Sequence, residues 1–345
     1  MDTPDDNLKR APAARKRFRR ATAIAAGVVT LAAILWSGLW WFGARALEGA
    51  VADALIAGRA QGEEIAVEKV TVGGFPVALT VTVDALTWTA RLPAGPLTVA
   101  VPRLAATATP LAPRRFRLAA PAPFTVAGGE AFSIVGRLAA GALTLGAVGS
   151  AGRIGLDALR LTRPDAPPVT VRGLTAAWSP AGDGDGAGER RITLVANGLE
   201  GLGTAPDRTA ETAAEIRVSG RLSGPLAGAN AVDWAEWRDA GGVFETDEIA
   251  IAWADLRVSG SGGWTLDKAL RPAGAGTFEV AGLPALIDRW AAAGHLPARH
   301  AAIARLAVGA LAGGAKGRVK VPVSLQAGQL WIGPFAVADL PALAW

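Results

Sequence analysis

The 345 residues include no cysteine and only two histidines, and 35 basic against 30 acidic side chains give a formal charge of +5. Without thiols the chain forms no disulfide, has no cysteine nucleophile and offers no thiolate to a metal, so its fold rests on core burial. Residues 1–20 hold seven basic and three acidic side chains, a local +4 that leaves only +1 for the rest and no basic stripe of the kind nucleic acid requires.

Residues 21–42, ATAIAAGVVTLAAILWSGLWWF, carry no charged side chain. As a helix they would be roughly 33 Å long, enough to cross a hydrocarbon core of about 30 Å, and in lipid a single segment must be helical to pair its own amides. Arg15, Lys16, Arg17, Arg19 and Arg20 crowd the near side, against Arg45 and Arg59 beyond. The positive-inside rule therefore predicts a cytoplasmic tail over 1–20, a transmembrane helix over 21–42 and export of everything that follows. Trp36, Trp40, Trp41 and Phe42 mark the far end as a membrane interface. Ala44-Arg45-Ala46 resembles a signal-peptidase site, but the run exceeds the ~7 to 15 residues of a signal h-region, and bulky side chains precede the cleavage point.

Residues 43–62 continue as a helical linker, with Leu47, Val51, Ala54 and Leu55 on one face and Gly58 and Gly62 as stop signals. From Glu64 the period changes to two. Val77, Leu79, Val81 and Val83 alternate with Ala78, Thr80, Thr82 and Asp84, a pattern expected of a half-buried strand. Shorter alternating runs recur at 97–101, 154–156, 192–196, 216–218 and 249–253, ending with Val319, Val321, Val323 and Leu325. Pro- and Gly-rich punctuation separates them without helical intervals, which predicts a mainly β (α+β) domain over 63–345, a mostly antiparallel meander. Helical periodicity returns at 283–290 and from Pro297, forming a C-terminal hairpin, and a shorter piece spans 231–238 with Trp234 and Trp237 as core residues.

Chemical motifs fail on inspection. Asp183 and Asp185 begin like a calcium loop, but Leu194 stands where its final glutamate belongs. His295 and His300 have no acidic or thiol partner at ligand spacing, and residues 259–263 break the nucleophile-elbow pattern, because Ser259 stands where its first glycine belongs and the central Ser261 reads as lying in a strand-to-strand turn. Residues 309–316 miss a P-loop because Ala315 replaces its lysine, and Asp157, Asp233, Asp247, Asp255 and Asp267 form no spaced carboxylate pair. The expectation is no enzyme, no metal and no cofactor.

Gly73-Gly74-Phe75-Pro76, the stretch GGWTLDKALRPAG over 262–274, the helical hairpin and the closing Gly328-Gln-Leu330-Trp-Ile332 together resemble the domain-of-unknown-function 2125 family. The resemblance runs from about residue 43 to the C-terminus and implies a single-span bacterial inner-membrane protein with a periplasmic domain and no catalytic residue to carry over. Val77 departs from the aromatic often found after Gly-Phe-Pro. Two functions follow from the strand pattern. The apolar rows Val77, Leu79, Val81, Val83 and Val319, Val321, Val323, Leu325 line a groove for lipid or another apolar envelope ligand, or the sheet closes into a sandwich and serves envelope assembly with other proteins. The partners expected are the bilayer and lipid or envelope proteins, with no nucleic acid.

Overall fold

The computed structural model describes residues 11–60, 64–92, 95–128, 131–146, 149–164, 166–181, 189–201, 214–224, 231–292, 297–311 and 318–340, with most of their side chains described from residue 26 onward. Helix α1 (Ala11–Ala60) runs unbroken, so the apolar run and the linker are one rod about 75 Å long. Strands β1 (Glu64–Ala66), β2 (Lys69–Gly73), β3 (Leu79–Leu92), β4 (Gly95–Thr109), β5 (Ala112–Ala119), β6 (Phe124–Gly128), β7 (Phe132–Leu145), β8 (Ser150–Arg163), β9 (Ala166–Pro180), β10 (Arg190–Glu200) and β11 (Ala214–Ser223) follow. Helix α2 (Ala231–Asp239) precedes β12 (Val243–Trp253), β13 (Leu256–Leu266) and β14 (Pro272–Ala281). The chain closes with α3 (Leu283–Ala292), α4 (Ala298–Leu311), β15 (Arg318–Gln326), β16 (Gln329–Ile332) and β17 (Phe335–Asp339).

All strands belong to one 17-stranded sheet, and every pairing is antiparallel. Each strand pairs with the next in sequence, with two exceptions. β1 and β2 lie end to end along β3, and β5 and β6 share the place between β4 and β7, interrupted by the two prolines of residues 120–123. Some neighbours, such as β3 and β4, β12 and β13, and β15 and β16, are joined by only two residues. Ala327 and Gly328 both have positive φ, the conformation a tight two-residue hairpin between β15 and β16 demands.

Directly paired residues point to the same face of a sheet, so the registers can be followed from strand to strand. One row runs Val72, Val81, Ala106, Leu118, Gly141, Ile154, Ala176, Leu194, Val218, Ile249, Gly260, Phe278, Val321, from β2 to β15 without a polar side chain. A parallel row runs Leu138, Leu156, Leu174, Ala196, Ile216, Ile251, Val258, Val280, Val319. The alternate residues form the other face, as in Thr80, Thr107, Arg117, Ala142, Arg153, Ala177, Thr193, Ser219, Glu248. One face is thus apolar and the other polar across almost the whole sheet.

Bulges keep it so. β8 takes three steps from Asp157 to Arg160 while β7 takes two from Val135 to Arg137, which makes Ala158 an extra residue, in the left-handed region at φ 53°. Apolar side chains change from even to odd numbers there, from Ile154 and Leu156 to Leu159 and Leu161, yet remain on one face. Ala85 in β3 and Gly198 in β10 also have positive φ and mark the same change of phase. A left-handed alanine costs about 1–3 kcal/mol. In chemical denaturation Ala158→Gly is therefore expected to leave stability within about 1 kcal/mol, because relief of this strain offsets glycine's extra unfolded freedom. Ala158→Val is expected to cost about 2 kcal/mol or more, a β-branched residue being a poor fit at positive φ.

The helices cover parts of the apolar face. α1 packs on β1, β2 and β3, with Gly43 beside Leu79, Ala44 buried, and the Arg59 guanidinium donating to the Ile65 carbonyl at 2.9 Å. α2 lies over the ends of β11 to β13, where Trp237, Leu222 and Leu266 form a buried cluster ringed by Ile192, Trp234, Phe244 and Leu270. α3 and α4 lie against each other, joined by Arg305 to Asp288 at 2.7 Å, with Ile287 and Ala301 buried, and touch β13 and β15. Among the described residues no second sheet covers the rest. The chain exposes 22238 Å², against about 13,000 Å² for a compact protein of its mass. α1 contributes to that excess, its most apolar stretch being 0 % buried.

Candidate functional site

The expected groove residues divide in the structure. Val77 is not in a strand: the Ala78 amide donates to the Gly74 carbonyl at 2.9 Å, the intervening residues turn, and Val77 is 72 % exposed. Leu79 and Val81 are buried where α1 meets the sheet, so they anchor the helix and do not line an open groove. Val83 is half-buried between Val70 and Leu104. At the far end Val319 is buried, while Val321, Val323 and Leu325 are half-buried opposite Phe278, Gly276 and Gly274.

The structure nevertheless joins the two expected rows. Val81 and Val321 are the second and last members of the same thirteen-residue row, so both segments belong to one surface. In that row only Val81 and Phe278 are buried; Leu118, Ile154, Val218 and Ile249 are half-buried and Leu194 is 40 % exposed. A closed sandwich would have buried the row on both sides. At about 4.8 Å per strand, its twelve intervals extend roughly 58 Å along the sheet. The middle members escaped sequence reading because each strand displays only one of them.

Glycines set the texture of this face. Gly152 lies under the Trp178 ring, Gly260 against Phe278, and Gly136 between Phe124 and Leu159, so aromatic and leucine side chains spread where a neighbour has none. Thr246 is the one buried polar residue among the described residues; its hydroxyl donates to the Gly262 carbonyl and accepts from the Gly262 amide, both at 2.9 Å, and from the Trp264 indole at 3.1 Å.

The four residues expected at a membrane interface also divide. The Trp36 indole donates to the Pro76 carbonyl at 2.7 Å and the Trp40 indole to the Ala78 carbonyl at 2.6 Å, with Trp40 edge-on to Phe75 at 5.4 Å. Trp41 and Phe42 point outward, exposed, with the Arg45 guanidinium over Trp41 at 5.1 Å. Arg15, Lys16, Arg17, Arg19 and Arg20 fall on α1 with side chains outside the described residues.

Only some of the sequence candidates for chemistry fall among the described residues. Residues 259–263 lie inside β13 and not in the turn expected of them. The Asp183 loop, His295 and the side chain of His300 lie outside the described residues, as do 312–316 of the P-loop candidate. Among the described residues no three His, Cys, Asp or Glu side chains come together as metal ligands. Asp267 shapes the β13–β14 turn by accepting from the Ala269 amide at 2.8 Å, the Arg271 amide at 3.0 Å and the Arg271 guanidinium at 2.8 Å. Desolvation is the largest influence on its carboxyl and raises the pKa, but those hydrogen bonds together hold it below the usual value.

A long apolar N-terminal helix docked on a single-layer antiparallel sheet, apolar on one face and polar on the other, defines the class of protein. The family described as "Uncharacterized protein conserved in bacteria (DUF2125)" matches residues 40–341. The chain belongs to that family. No curated protein and no solved structure matches it.

Proposed function

We propose that the chain is a single-span protein of the bacterial inner membrane, N-terminus in the cytoplasm, whose periplasmic sheet holds the acyl chains of lipid along its apolar face. The observation that carries this reading is the thirteen-residue apolar row, covered at its ends and open between. Anchoring rests on the basic residues before the apolar run and on Ala26–Arg59 as a helix apolar enough to cross a membrane. The charged residues Arg45, Glu48, Asp53 and Arg59 beyond Phe42 support an end of the span near it, and α1 packs on β1, β2 and β3.

An acyl chain matches this face better than a folded partner does. Its methylenes need no hydrogen bonds, and the row offers none, whereas each CH₂ buried gains about 0.8 kcal/mol before the costs of association. The row starts beside the helix that would enter the bilayer, which gives lipid a short path to it. No catalytic step belongs to this reading. Mass spectrometry of the full chain purified in mild detergent is expected to find phospholipid or fatty acid retained at a fixed ratio through gel filtration. Protein free of lipid, and taking up no saturable fluorescent fatty acid, would instead favour a role in envelope assembly.

A further inference from the structure

We infer that the turn Gly74-Phe75-Pro76-Val77 is a second membrane contact, dipping into the boundary between headgroups and acyl chains beside the outer end of α1. The inference rests on reading α1 as a span. Trp36, which holds the Pro76 carbonyl, lies six residues before Phe42, so the turn is fixed about 9 Å inside the end of the apolar run. A water-soluble turn at that depth would be out of place.

Its chemistry suits lipid. Phe75 is 54 % and Val77 72 % exposed, Phe75 lies edge-on to Trp40, and the sequence has no charged residue between Lys69 and Asp84. The usual objection to irregular backbone in a bilayer is unpaired polar groups. Here the Gly74 carbonyl accepts from the Ala78 amide, the Pro76 and Ala78 carbonyls accept from the two indoles, and Pro76 has no amide to satisfy. Indole donors reaching from the helix do what water would do elsewhere. Arg45, stacked on Trp41, sets the level at which the interface gives way to water. The turn therefore fixes the tilt of the sheet on the membrane and holds the start of the apolar row at the lipid surface.

The natural chain has no cysteine, so single cysteines report position cleanly. The full chain carrying Val77→Cys, labelled with an environment-sensitive fluorophore, is reconstituted into phosphatidylethanolamine–phosphatidylglycerol vesicles. Leu39→Cys in the span and Leu111→Cys at the exposed β4–β5 turn serve as lipid and water references. Expected is blue-shifted emission at Val77→Cys, lost to nitroxide-labelled phospholipid as for Leu39→Cys and resistant to aqueous iodide. Iodide quenching equal to that of Leu111→Cys, with Leu39→Cys still in lipid, overturns the inference and leaves the anchor intact. Iodide quenching at Leu39→Cys overturns the anchor and the inference with it. Val77 makes no buried contact, so its replacement spares the fold, and Phe75→Cys provides an independent second position read against the same two outcomes.

Discussion

Trp237→Ala is expected to cost about 3–5 kcal/mol, the range for deleting a buried tryptophan, and to loosen the whole distal corner of the sheet. The side chain is 2 % exposed and packs with Leu222 and Leu266. It also stacks edge-on against Trp234 at 5.5 Å, and its indole donates to the Ser223 carbonyl at 2.7 Å. Removal would open a cavity, strand that carbonyl and strip the cover from Gly224 and Gly242, both of which lie against the ring. Among the described residues few others are as enclosed, because a single-layer sheet has no general interior. Denaturant titration by tryptophan fluorescence is complicated by the twelve indoles, so far-ultraviolet circular dichroism is the better readout. A loss below about 1 kcal/mol would mean that α2 is not seated as described.

Leu194→Asp is the matching test of the open part of the face. Leu194 sits mid-row between Ala176 and Val218 and is 40 % exposed, so the substitution costs the fold only on the order of 1 kcal/mol. For bound lipid the effect is much larger. A carboxylate in the path of an acyl chain must be desolvated or must hold the chain away, a penalty of several kcal/mol, and each 1.4 kcal/mol is about tenfold in affinity. Lipid retained by the purified protein is expected to fall at least about tenfold. The neighbouring Thr193→Asp, on the polar face opposite Ala177 and Ser219, is expected to change nothing. Equal effects of the two substitutions would show that the rows do not distinguish a binding face.

Much of the architecture could be read in advance because the two periods of the backbone leave direct marks. The alternating runs at 97–101, 192–196 and 319–325 fall within β4, β10 and β15, and the helical spacing at 283–290 falls within α3. Trp234 and Trp237, three apart, read as core and are core around α2. The candidate site was less legible. Val77 continues the alternation of β3 on paper but belongs to a turn, since Pro76 has no amide for the ladder and Ala78 bonds back to Gly74. Nor does local pattern reveal that Leu79 meets Gly43 of α1, thirty-six residues earlier.

The sequence by itself determined the apolar helix, the antiparallel strands and a polar and an apolar side for each strand, because these follow from spacing within a few residues of chain. Only the tertiary structure decided that the apolar sides form one surface. That depends on register, and one slipped residue would turn a strand's apolar set to the opposite face. Ala158, Ala85 and Gly198 show how the phase is corrected: a left-handed residue reverses the numbering while the face is kept. Read along the sequence, such a residue looks like the end of a pattern. Across the sheet it keeps the parts of β3, β8 and β10 beyond it on the same side as the apolar row that Val72 and Val321, 249 positions apart, begin and end.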